Sequence, residues 1–487
     1  MSVTPRLVTM FGAAVILAAC TLGPDYQRPP APVPAHYKED GWKVGEPGDA
    51  ANRGDWWAVY NDTVLDGLER QIDVSNQNLK AAEAAYRQAR AVVSEARAGY
   101  FPTVTATGSA TRAGAGGRGT INVRGGGGGQ TEYNLTGSAS WDLDVWGRIR
   151  RTVESDVASA QASAADLASA RLSAQSLLAT DYFLLRAADE QKRILDASVV
   201  AFSEALKITN NQYNAGVAGA ADVAQARTQL ENTQAQSVAV GIQRASLEHA
   251  IAVLVGKPPA DVAIEPAPLT SIVPVIPAGV PSTLLERRPD IATAERQMAA
   301  TNAQIGVAEA AFYPDITLSA SYGYDAFNLG KLLETANRVW SVGPQLTQTI
   351  FDAGLRSAQL DAARASYDQS VANYRQVVLT GFQQVEDQLA ALRILAEQST
   401  LQESAVRNAR EAERLILNQY LAGTVAYTSV IIAQTTRLND EEAALTVLQN
   451  RLTASVALIQ AMGGGWDAAQ LPNTAQVEEG GFLAPSH

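Results

Sequence analysis

Residues that commonly carry out catalysis are scarce in this chain of 487 residues. It has three histidines, His36, His249 and His487, and one cysteine. The sequence contains no HExxH, CxxC, GxxxxGK[ST] or GxSxG motif, so no metalloprotease, dithiol, P-loop or serine hydrolase site is indicated. Its carboxylates are scattered over helix faces, where solvation is their ordinary role. The sequence therefore predicts no catalytic residues, no metal site, no cofactor and no enzymatic activity.

The single cysteine lies where a covalent modification is expected. Cys20 ends the stretch MSVTPRLVTMFGAAVILAAC, in which one arginine precedes an apolar run too short to span a bilayer. The residues LAAC resemble a bacterial lipobox, in which the signal is cleaved before the cysteine and the thiol is acylated. We therefore predict a signal peptide at 1–19 and a covalent lipid on Cys20. One acyl anchor binds membranes reversibly, so further membrane contact is expected.

Nucleic acids and dinucleotides are not indicated as ligands. The formal net charge is −12, which leaves no excess of cations to neutralise phosphates. The residues GAGGRG fit the GxGxxG dinucleotide fingerprint, but they follow an alternating stretch and open no helix. We interpret this glycine-rich run as an external loop between two strands.

Two turns of similar sequence are predicted to reverse the chain between helices. QYNAGVAGAADV begins at Gln212, and QYLAGTVAYTSV begins at Gln419. Gly216 and Gly423 each follow a helical stretch, where a glycine suits the left-handed conformation after a helix C-terminus. The pattern predicts two antiparallel helical hairpins.

The same order of elements occurs twice in the chain. EARAGYFPTVTATGSA is echoed by EAAFYPDITLSASYGY, just as the two turns echo each other. The proline-rich stretch between the halves excludes helix and is interpreted as an extended linker. The predicted division is a signal peptide at 1–19, a lipidated N-terminal segment with an equatorial region at 20–61, a first repeat at 62–255, a linker at 256–281, a second repeat at 282–462 and a tail at 463–487.

Two strands are predicted in each repeat. Polar and apolar residues alternate with period two over about 102–112, 131–146, 314–325 and 339–351. Pro344 interrupts the last strand and suits a bulge or a position without a ladder hydrogen bond. Four strands that lie far apart in sequence cannot close a barrel, and lipid does not tolerate open edges. Closure therefore requires other copies of the chain, with a polar lumen inside.

The helices are predicted to be long enough to form a tunnel. Aromatics make up only 6% of the chain, which disfavours one thick core. From 147 to 213 there is no proline and no interior glycine, and about 67 residues make roughly 100 Å of helix. Small and apolar residues from Val153 to Leu177 recur at spacings of three and four, as in closely packed coiled coils. A second long helix is predicted at 355–420, and shorter helices at 62–98, 220–255, 282–311 and 427–462 would stack in pairs along the long ones.

At this point the sequence resembles a known family. CTLGPDYQRPPAPVPAHY, WDLDVWGRIRRTVESD, ERRPDIATAERQMAATNAQIGVAEAAFYPDI and MGGGW are similar to the outer-membrane efflux lipoproteins of the TolC superfamily, the outer-membrane factors of resistance-nodulation-division tripartite pumps. The resemblance runs from Cys20 to Trp466. It implies a mainly α-helical fold with a transmembrane β-barrel. Three identical chains would give a twelve-stranded barrel continuous with a long periplasmic α-helical barrel, with an equatorial belt formed by the terminal segments and the linker.

The resemblance also implies function and partners. The homotrimer would lie in the outer membrane of a Gram-negative bacterium, anchored by lipid and extending into the periplasm. It would be a passive exit duct for drugs or other small molecules. Energy would come from an inner-membrane transporter, and a periplasmic adaptor would bridge the two and open the duct by docking at the helix tips.

Site residues follow from the family by position. The candidate adaptor contacts at the tips are Tyr213, Gly216, Val217, Tyr420, Gly423 and Thr424. The candidate aperture residues are Asp222, Thr428, Ile431 and Ile432. Asp222 matches an acidic position of the family, whereas Ile432 stands where many relatives carry an aspartate. We therefore expect closure by apolar packing more than by a double charged ring, and cation sensitivity does not follow.

Other functions remain open at this level. One is an outer-membrane duct for type I protein secretion or for dedicated metal efflux. The lipobox-like start and the RRPDI segment favour the drug-exporting branch, and a metal duct would be expected to have more Met, His and Cys than this chain has. A purely structural coiled-coil lipoprotein would leave the four alternating strands unexplained.

Overall fold

A computed structural model describes residues 21–39, 54–113, 130–276, 281 and 284–478, most of which are helical. The helices are α1 (Thr63–Ser75), α2 (Gln77–Ala98), α3 (Arg148–Asn214), α4 (Ala220–Leu254), α5 (Leu284–Arg287), α6 (Pro289–Ala310), α7 (Leu355–Leu421), α8 (Tyr427–Ala461) and α9 (Thr474–Glu478). The strands are β1 (Thr103–Ala113), β2 (Gln130–Asp142), β3 (Asp315–Ala326) and β4 (Arg338–Thr347). None of the described helices has an apolar stretch long enough to cross a bilayer.

Each long helix packs along two shorter helices placed one above the other. Helices α3 and α7 have 67 residues each, which corresponds to roughly 100 Å. Helix α3 contacts α2 and α4, and α7 contacts α6 and α8. Because α3 also contacts α6 and α8, the two repeats form one elongated body. The predicted pairing of half-length helices along each long helix is confirmed.

The stacked helices meet at two equivalent junctions. In the first repeat, Asn76 Nδ2 donates a hydrogen bond to the carbonyl oxygen of Leu254 at the end of α4, 2.7 Å away. In the second repeat, Arg288 Nη1 donates to the carbonyl oxygen of Ala461 at the end of α8, also at 2.7 Å. Asn76 and Arg288 are also the N-cap residues of α2 and α6. The N-cap residue of the upper helix therefore also satisfies a free carbonyl of the lower one at each junction.

Two predicted helices are divided in the structure, so the continuous helices at 62–98 and 282–311 are wrong. The backbone is extended at Asn76, with φ −61° and ψ 123°, and at Arg288, with φ −100° and ψ 120°. Asn76 Oδ1 accepts the amide of Leu79, which is N-cap chemistry that competes with helix continuation. Arg288 precedes Pro289, and a residue before proline is disfavoured in the α conformation. Residues 282 and 283 lie outside the described part of the chain.

The four strands form one antiparallel sheet in the order β1-β2-β3-β4. The register aligns the alternating residues of all four strands, so that one face is apolar and the other polar. A central apolar row consists of Val104, Ala139, Ala320 and Val342. The next row is polar and consists of Thr105, Ser138, Ser321 and Ser341. A shift of one residue at any pairing would mix the two faces, so the pattern fixes the register.

Two predicted strands extend too far, because the chain leaves the sheet to cap the long helices. Strand β2 ends at Asp142 instead of 146, and Asp144 accepts the amides of Ile149 and Arg150 at the start of α3. Strand β4 ends at Thr347 instead of 351, and Asp352 accepts the amide of Arg356 in α7. Ile350, predicted in the last strand, therefore lies outside it. Pro344 lies opposite Leu318 in an uninterrupted register, so the bulge, one of the two predicted alternatives, is absent. The predicted glycine-rich loop at 114–129 lies outside the described residues.

The bulky core residues are concentrated at mid-height of the two long helices. One cluster surrounds Tyr182 and Phe183 of α3 and includes Trp56, Trp57 and residues of the linker. A second cluster surrounds Tyr374 and Phe382 of α7 and includes Tyr37 of the N-terminal segment. We call this level the equator. The terminal segment and the linker pack there, so the body is thick at the equator and thin above and below it.

A carboxyl group without a hydrogen-bond partner is buried at the equator. Glu69 of α1 is 0% exposed, and neither of its carboxyl oxygens has a hydrogen-bond partner in the described residues. Burial raises its pKa to about 9, and repulsion from Asp73 and Asp66 adds to the shift. Glu69 is therefore protonated in the folded protein at neutral pH.

This burial predicts a pH-dependent stability. The folded-state pKa of Glu69 lies above the unfolded value of 4.5, so unfolding releases a proton between pH 4.5 and 9, and stability falls as pH rises through that window. We expect Glu69→Gln to remove this loss, which is about 3 kcal/mol at pH 7. Thermal unfolding of both proteins in detergent at pH 4.5 and pH 8 measures this loss of stability. The control Glu83→Gln removes an exposed carboxylate from α2 and should leave the pH dependence of stability unchanged. Equal dependence of stability on pH in the wild type and in Glu69→Gln would contradict the prediction.

Candidate functional site

Both helical hairpins end in the same turn. In the first, Val217 N donates to the carbonyl oxygen of Gln212 at 2.8 Å, and Gly216 N donates to that of Tyr213 at 2.9 Å. In the second, the same two bonds join Thr424 to Gln419 at 3.0 Å and Gly423 to Tyr420 at 2.9 Å. The two glycines have φ +73° and +72°. Each turn is therefore a Schellman motif with glycine in the left-handed position, as the sequence predicts.

The first turn presents an apolar surface to solvent. The side chains of Tyr213 and Val217 are 48% and 75% exposed, which is high for apolar residues. Gly216, Gly423 and Thr424 are also exposed. Five of the six predicted contact residues are therefore accessible to a partner.

Tyr420 is the exception, because its side chain is buried, and its role as an adaptor contact stays a prediction. Its side chain is only 7% exposed, and its ring lies 5.2 Å from that of Tyr427. It belongs to an apolar group, which we call the tip cluster, that joins the ends of both hairpins. The tip cluster consists of Ala226, Tyr420, Tyr427 and Val430, with Leu206, Ile208, Ile416, Leu417, Val425 and Ile431 packed against them. Tyr420 therefore packs between the two hairpins.

The structure separates the predicted aperture residues into two environments. Thr428 and Ile432 are exposed and lie four residues apart on α8, so they share one face of the helix. Ile431 is half-buried and packs against the tip cluster. Asp222 Oδ2 accepts the amide of Gly219 at 3.0 Å and so caps the start of α4. Its carboxylate is held at the first turn of that helix, next to the tip.

A partly buried charge network lies above the tips and was not found from the sequence. Arg437 of α8 pairs with Glu413 of α7 at 2.6 Å and with Glu441 at 3.0 Å. Glu441 also accepts from Arg410 at 2.7 Å. Arg437 Nη2 donates to Ser198 Oγ of α3, so one side chain links both hairpins. Burial raises the pKa of Glu413. The only sequence signal for this network is the spacing of four between Arg437 and Glu441.

The segment after Cys20 is fixed at the base of the sheet. Cys20 itself lies outside the described residues. Leu22 N donates to the carbonyl oxygen of Trp146, immediately before α3. Arg151, which is buried, donates to the carbonyl oxygens of Leu22 and Gly23 and pairs with Asp25 at 3.0 Å. The chain that follows Cys20 is thus fixed at the level where strands give way to helices.

The same segment then follows the helices towards the equator. Tyr26 donates to Glu295 of α6 at 2.5 Å, and Arg28 donates to the hydroxyl of Tyr374 in α7 at 3.0 Å. Farther down α7, Glu386 accepts the amide of Lys38 at 2.6 Å. Burial raises the pKa of Tyr26 far above its usual value, so its hydroxyl stays a donor. The N-terminal segment therefore forms a strap that joins three helices.

These features define a class of protein. A four-stranded sheet with one apolar face and two open edges stands at one end of a body of long paired helices. A sheet with one apolar face and two open edges is typical of chains that each contribute part of a membrane β-barrel.

Comparison with known proteins identifies the family. The model of the outer membrane efflux protein family matches residues 68–257 and 280–464, and the chain belongs to this family. It is 32% identical to the toluene efflux pump outer membrane protein TtgC of Pseudomonas putida, over 98% of this chain and 99% of TtgC. It is 28% identical to the cation efflux system protein CusC of Escherichia coli, over 95% and 99% of the two chains. The structure of the outer-membrane channel OprN has a TM-score of 0.83 at 30% identity, covering 92% of this chain and all of OprN.

The family gives the fold and the biochemical class. The protein is an outer-membrane efflux channel, and its relatives are named as an efflux pump outer membrane protein and an outer-membrane channel. The predicted family, fold class, outer-membrane location and efflux function are confirmed.

Proposed function

We propose that three copies of this chain form the exit duct of a tripartite efflux pump. The observation that carries the proposal is the register of the sheet: four strands share one apolar face, while β1 and β4 each leave an edge unpaired. Pairing β4 of one chain with β1 of the next removes every edge, as a lipid environment requires. Three chains give twelve strands, with the apolar face towards lipid and the polar face around a water-filled lumen.

We propose drugs, solvents or other small molecules as cargo. The names of the relatives at 32% identity refer to toluene and antibiotic efflux, whereas the one that refers to cation efflux is 28% identical. Passage through the duct is passive, because the serine, threonine, asparagine and acidic side chains on the polar face of the sheet offer no energy source. An inner-membrane transporter of the resistance-nodulation-division type supplies the energy.

The exposed ends of the hairpins are the proposed docking surface for a periplasmic adaptor protein. Tyr213 and Val217 offer apolar area, while Gly216, Gly423 and Thr424 form the accessible backbone of the turns. We place Asp222, Thr428 and Ile432 at the aperture, with Ile431 packed behind them. An adaptor that binds the open arrangement of the hairpins more tightly than the closed one would open the duct.

A lipid on Cys20 is the proposed second membrane attachment. The strap supports it, because Leu22 and Gly23 lie against Trp146 and Arg151 at the base of the sheet. We expect the mature protein to begin at Cys20 and to carry acyl chains. Intact mass measurement, with Cys20→Ala as the unmodified control, tests this. An unmodified thiol in the wild-type protein would contradict it.

The orientation of the sheet is tested by adjacent residues of β3. Ala320 lies in the apolar row and Ser319 on the polar face. We expect Ala320→Arg to reduce assembled barrel strongly, because an arginine near the centre of the lipid-facing wall costs about 2–4 kcal/mol. Ser319→Arg should be tolerated, since its side chain enters the lumen. The measurement is the fraction of heat-modifiable oligomer in the outer membrane. Equal losses in both variants would refute the assigned faces.

A further inference from the structure

The C-terminal tail, residues 463–478, takes a course that the duct function does not explain. It begins at the equator, where Gly464 lies against the side chain of Leu172 in α3. Farther along, the carbonyl oxygen of Pro472 accepts from Gln161 Nε2 of α3 at 3.0 Å. The tail then forms α9, which contacts both α2 and α3. The tail therefore runs along α3 from the equator towards the sheet.

Helix α9 is docked on α2 by one buried side chain and two arginines. Val477 is 1% exposed and lies in an apolar cluster with Val93 of α2 and with residues of α3. Arg90 of α2 donates to the carbonyl oxygen of Val477 at 3.4 Å. Arg97 donates to the carbonyl oxygen of Glu478 at 3.0 Å and pairs with its carboxylate at 3.7 Å. The side chains of α2 thus satisfy carbonyl groups at the end of α9.

Helix α2 has few other buried residues to hold it. All of its 22 residues are described, and only Leu79 and Val93 are buried, whereas the equivalent 22-residue helix of the second repeat, α6, has twelve buried residues. Leu79 belongs to the equatorial cluster around Tyr182 and Phe183. Val93 is therefore the one buried residue in the half of α2 nearest the sheet, and the tail helps to cover it.

Helix α2 leads directly into an edge of the sheet. It ends at Ala98, and β1 begins at Thr103. Between them, Tyr100 packs against the cluster that contains Val477, and its carbonyl oxygen accepts from Trp141 Nε1 of β2 at 2.9 Å. The base of β1 is thus coupled to the tail. Because β1 is one of the two strands with an unpaired edge, its position matters for pairing with another chain.

We propose that docking of the C-terminal tail positions β1 for pairing with another copy of the chain, a step that rests on the proposed trimer. The tail follows both repeats in the sequence, so α2 and β1 receive this support only after both repeats have been made. The second repeat differs, because the N-terminal strap that holds α6 and α7 is made before them. A chain that lacks the tail therefore has a poorly supported β1 edge and is excluded from assembly.

Val477→Asp tests the proposal, with Ala475→Asp as its matched control. The first variant places a carboxylate in the apolar cluster, and the second places it on the exposed face of α9. We expect Val477→Asp to lower the amount of heat-modifiable oligomer about tenfold or more, because the burial of one valine corresponds to at least one such factor. A chain that ends at Trp466 removes α9 without adding a charge and should assemble as poorly. Ala475→Asp should assemble as the wild type does.

Hydrogen exchange shows whether the tail acts through α2. It is measured on subunits that carry Ala320→Arg, with and without Val477→Asp, so that a difference in assembly does not itself cause a difference in exchange. We expect exchange to be about tenfold faster at residues 90–102 when Val477→Asp is present. Exchange in α6 should be unchanged, since the strap holds that helix. Equal exchange at residues 90–102 would overturn the proposal.

The amounts of oligomer separate this inference from the proposed function. Normal oligomer in Val477→Asp and in the chain that ends at Trp466 would overturn the positioning role of the tail. An equal loss of oligomer in Ala475→Asp would also overturn it, because the effect would then not depend on the docked face of α9. A wild-type particle that is not trimeric would instead refute the proposed function, whereas faster exchange in α2 would still show that the tail supports this helix.

Discussion

Replacing Gly423 by proline is expected to abolish export while the barrel still inserts into the outer membrane. Gly423 has φ +72°, whereas proline is fixed near −65°, and its amide donates to the carbonyl oxygen of Tyr420 at 2.9 Å. Proline therefore loses one bond of the Schellman motif and cannot adopt the backbone conformation, at a local cost of about 3 kcal/mol or more. Tyr420 and Tyr427 of the tip cluster lie three and four residues from Gly423. A distorted turn therefore displaces both the docking surface and the packing between the hairpins.

The measurement for Gly423→Pro is drug susceptibility together with the amount of heat-modifiable oligomer. We expect susceptibility equal to that of a strain without the protein and a normal amount of oligomer, because the sheet lies at the opposite end of roughly 100 Å of helix. Gly423→Asn is the matched control, since asparagine tolerates the left-handed conformation and keeps the amide donor. Normal export in Gly423→Pro would show that this turn has no part in docking or opening.

The second large effect is expected at the junction between α6 and α8. Arg288 is 6% exposed and donates to the carbonyl oxygen of Ala461 at 2.7 Å and to Gln384 Oε1 at 2.8 Å. It also pairs with Asp290 at 2.6 Å. Arg288→Leu removes all three contacts and leaves the carbonyl oxygen of Ala461 without this donor. We expect a loss of about 3 kcal/mol, roughly a hundredfold in the local folding equilibrium.

The adjacent arginine provides the control for this prediction. Arg287→Leu removes the same charge one residue away, and Arg287 is only half-buried. Assembled protein in the membrane and thermal stability in detergent are the measurements. We expect Arg288→Leu to lower both sharply, Arg287→Leu to lower them little and Arg288→Lys to fall between the two. If the two leucine variants behave alike, the Arg288 contacts do not hold the junction.

The sequence predicts most of this fold because two strong periodicities are present. Strict alternation predicts four strands, and the register confirms that the alternating residues share a face. The duplicated turns predict the hairpins, since glycine after a helix C-terminus has a specific backbone role. The helix bounds are close to the predictions wherever glycine or proline marks an end, as at Gly216 and Gly423.

The burial of individual helix residues is not predicted from the sequence, because the neighbours of a helix change along its length. Leu177 belongs to the predicted seam of α3 but is exposed, while the adjacent Leu178 is fully buried. Helix α3 contacts α2 and α6 as well as α4 and α8, so one stripe of fixed period cannot describe it. Tyr213 and Tyr420 have the same local sequence yet opposite burial, because only the second faces the other hairpin. The ion pairs of Arg437 are likewise set by tertiary packing.

The two unpaired edges of the sheet have a consequence for biogenesis. A newly made subunit exposes backbone donors and acceptors along β1 and β4 together with a wall of apolar side chains, so in water it is prone to aggregate. In the proposed trimer, the final folding step of a subunit is therefore also its assembly with two other copies at the bilayer. The yield of assembled channels should depend steeply on the concentration of subunits at the membrane. Binding to a periplasmic chaperone would protect unassembled subunits from aggregation.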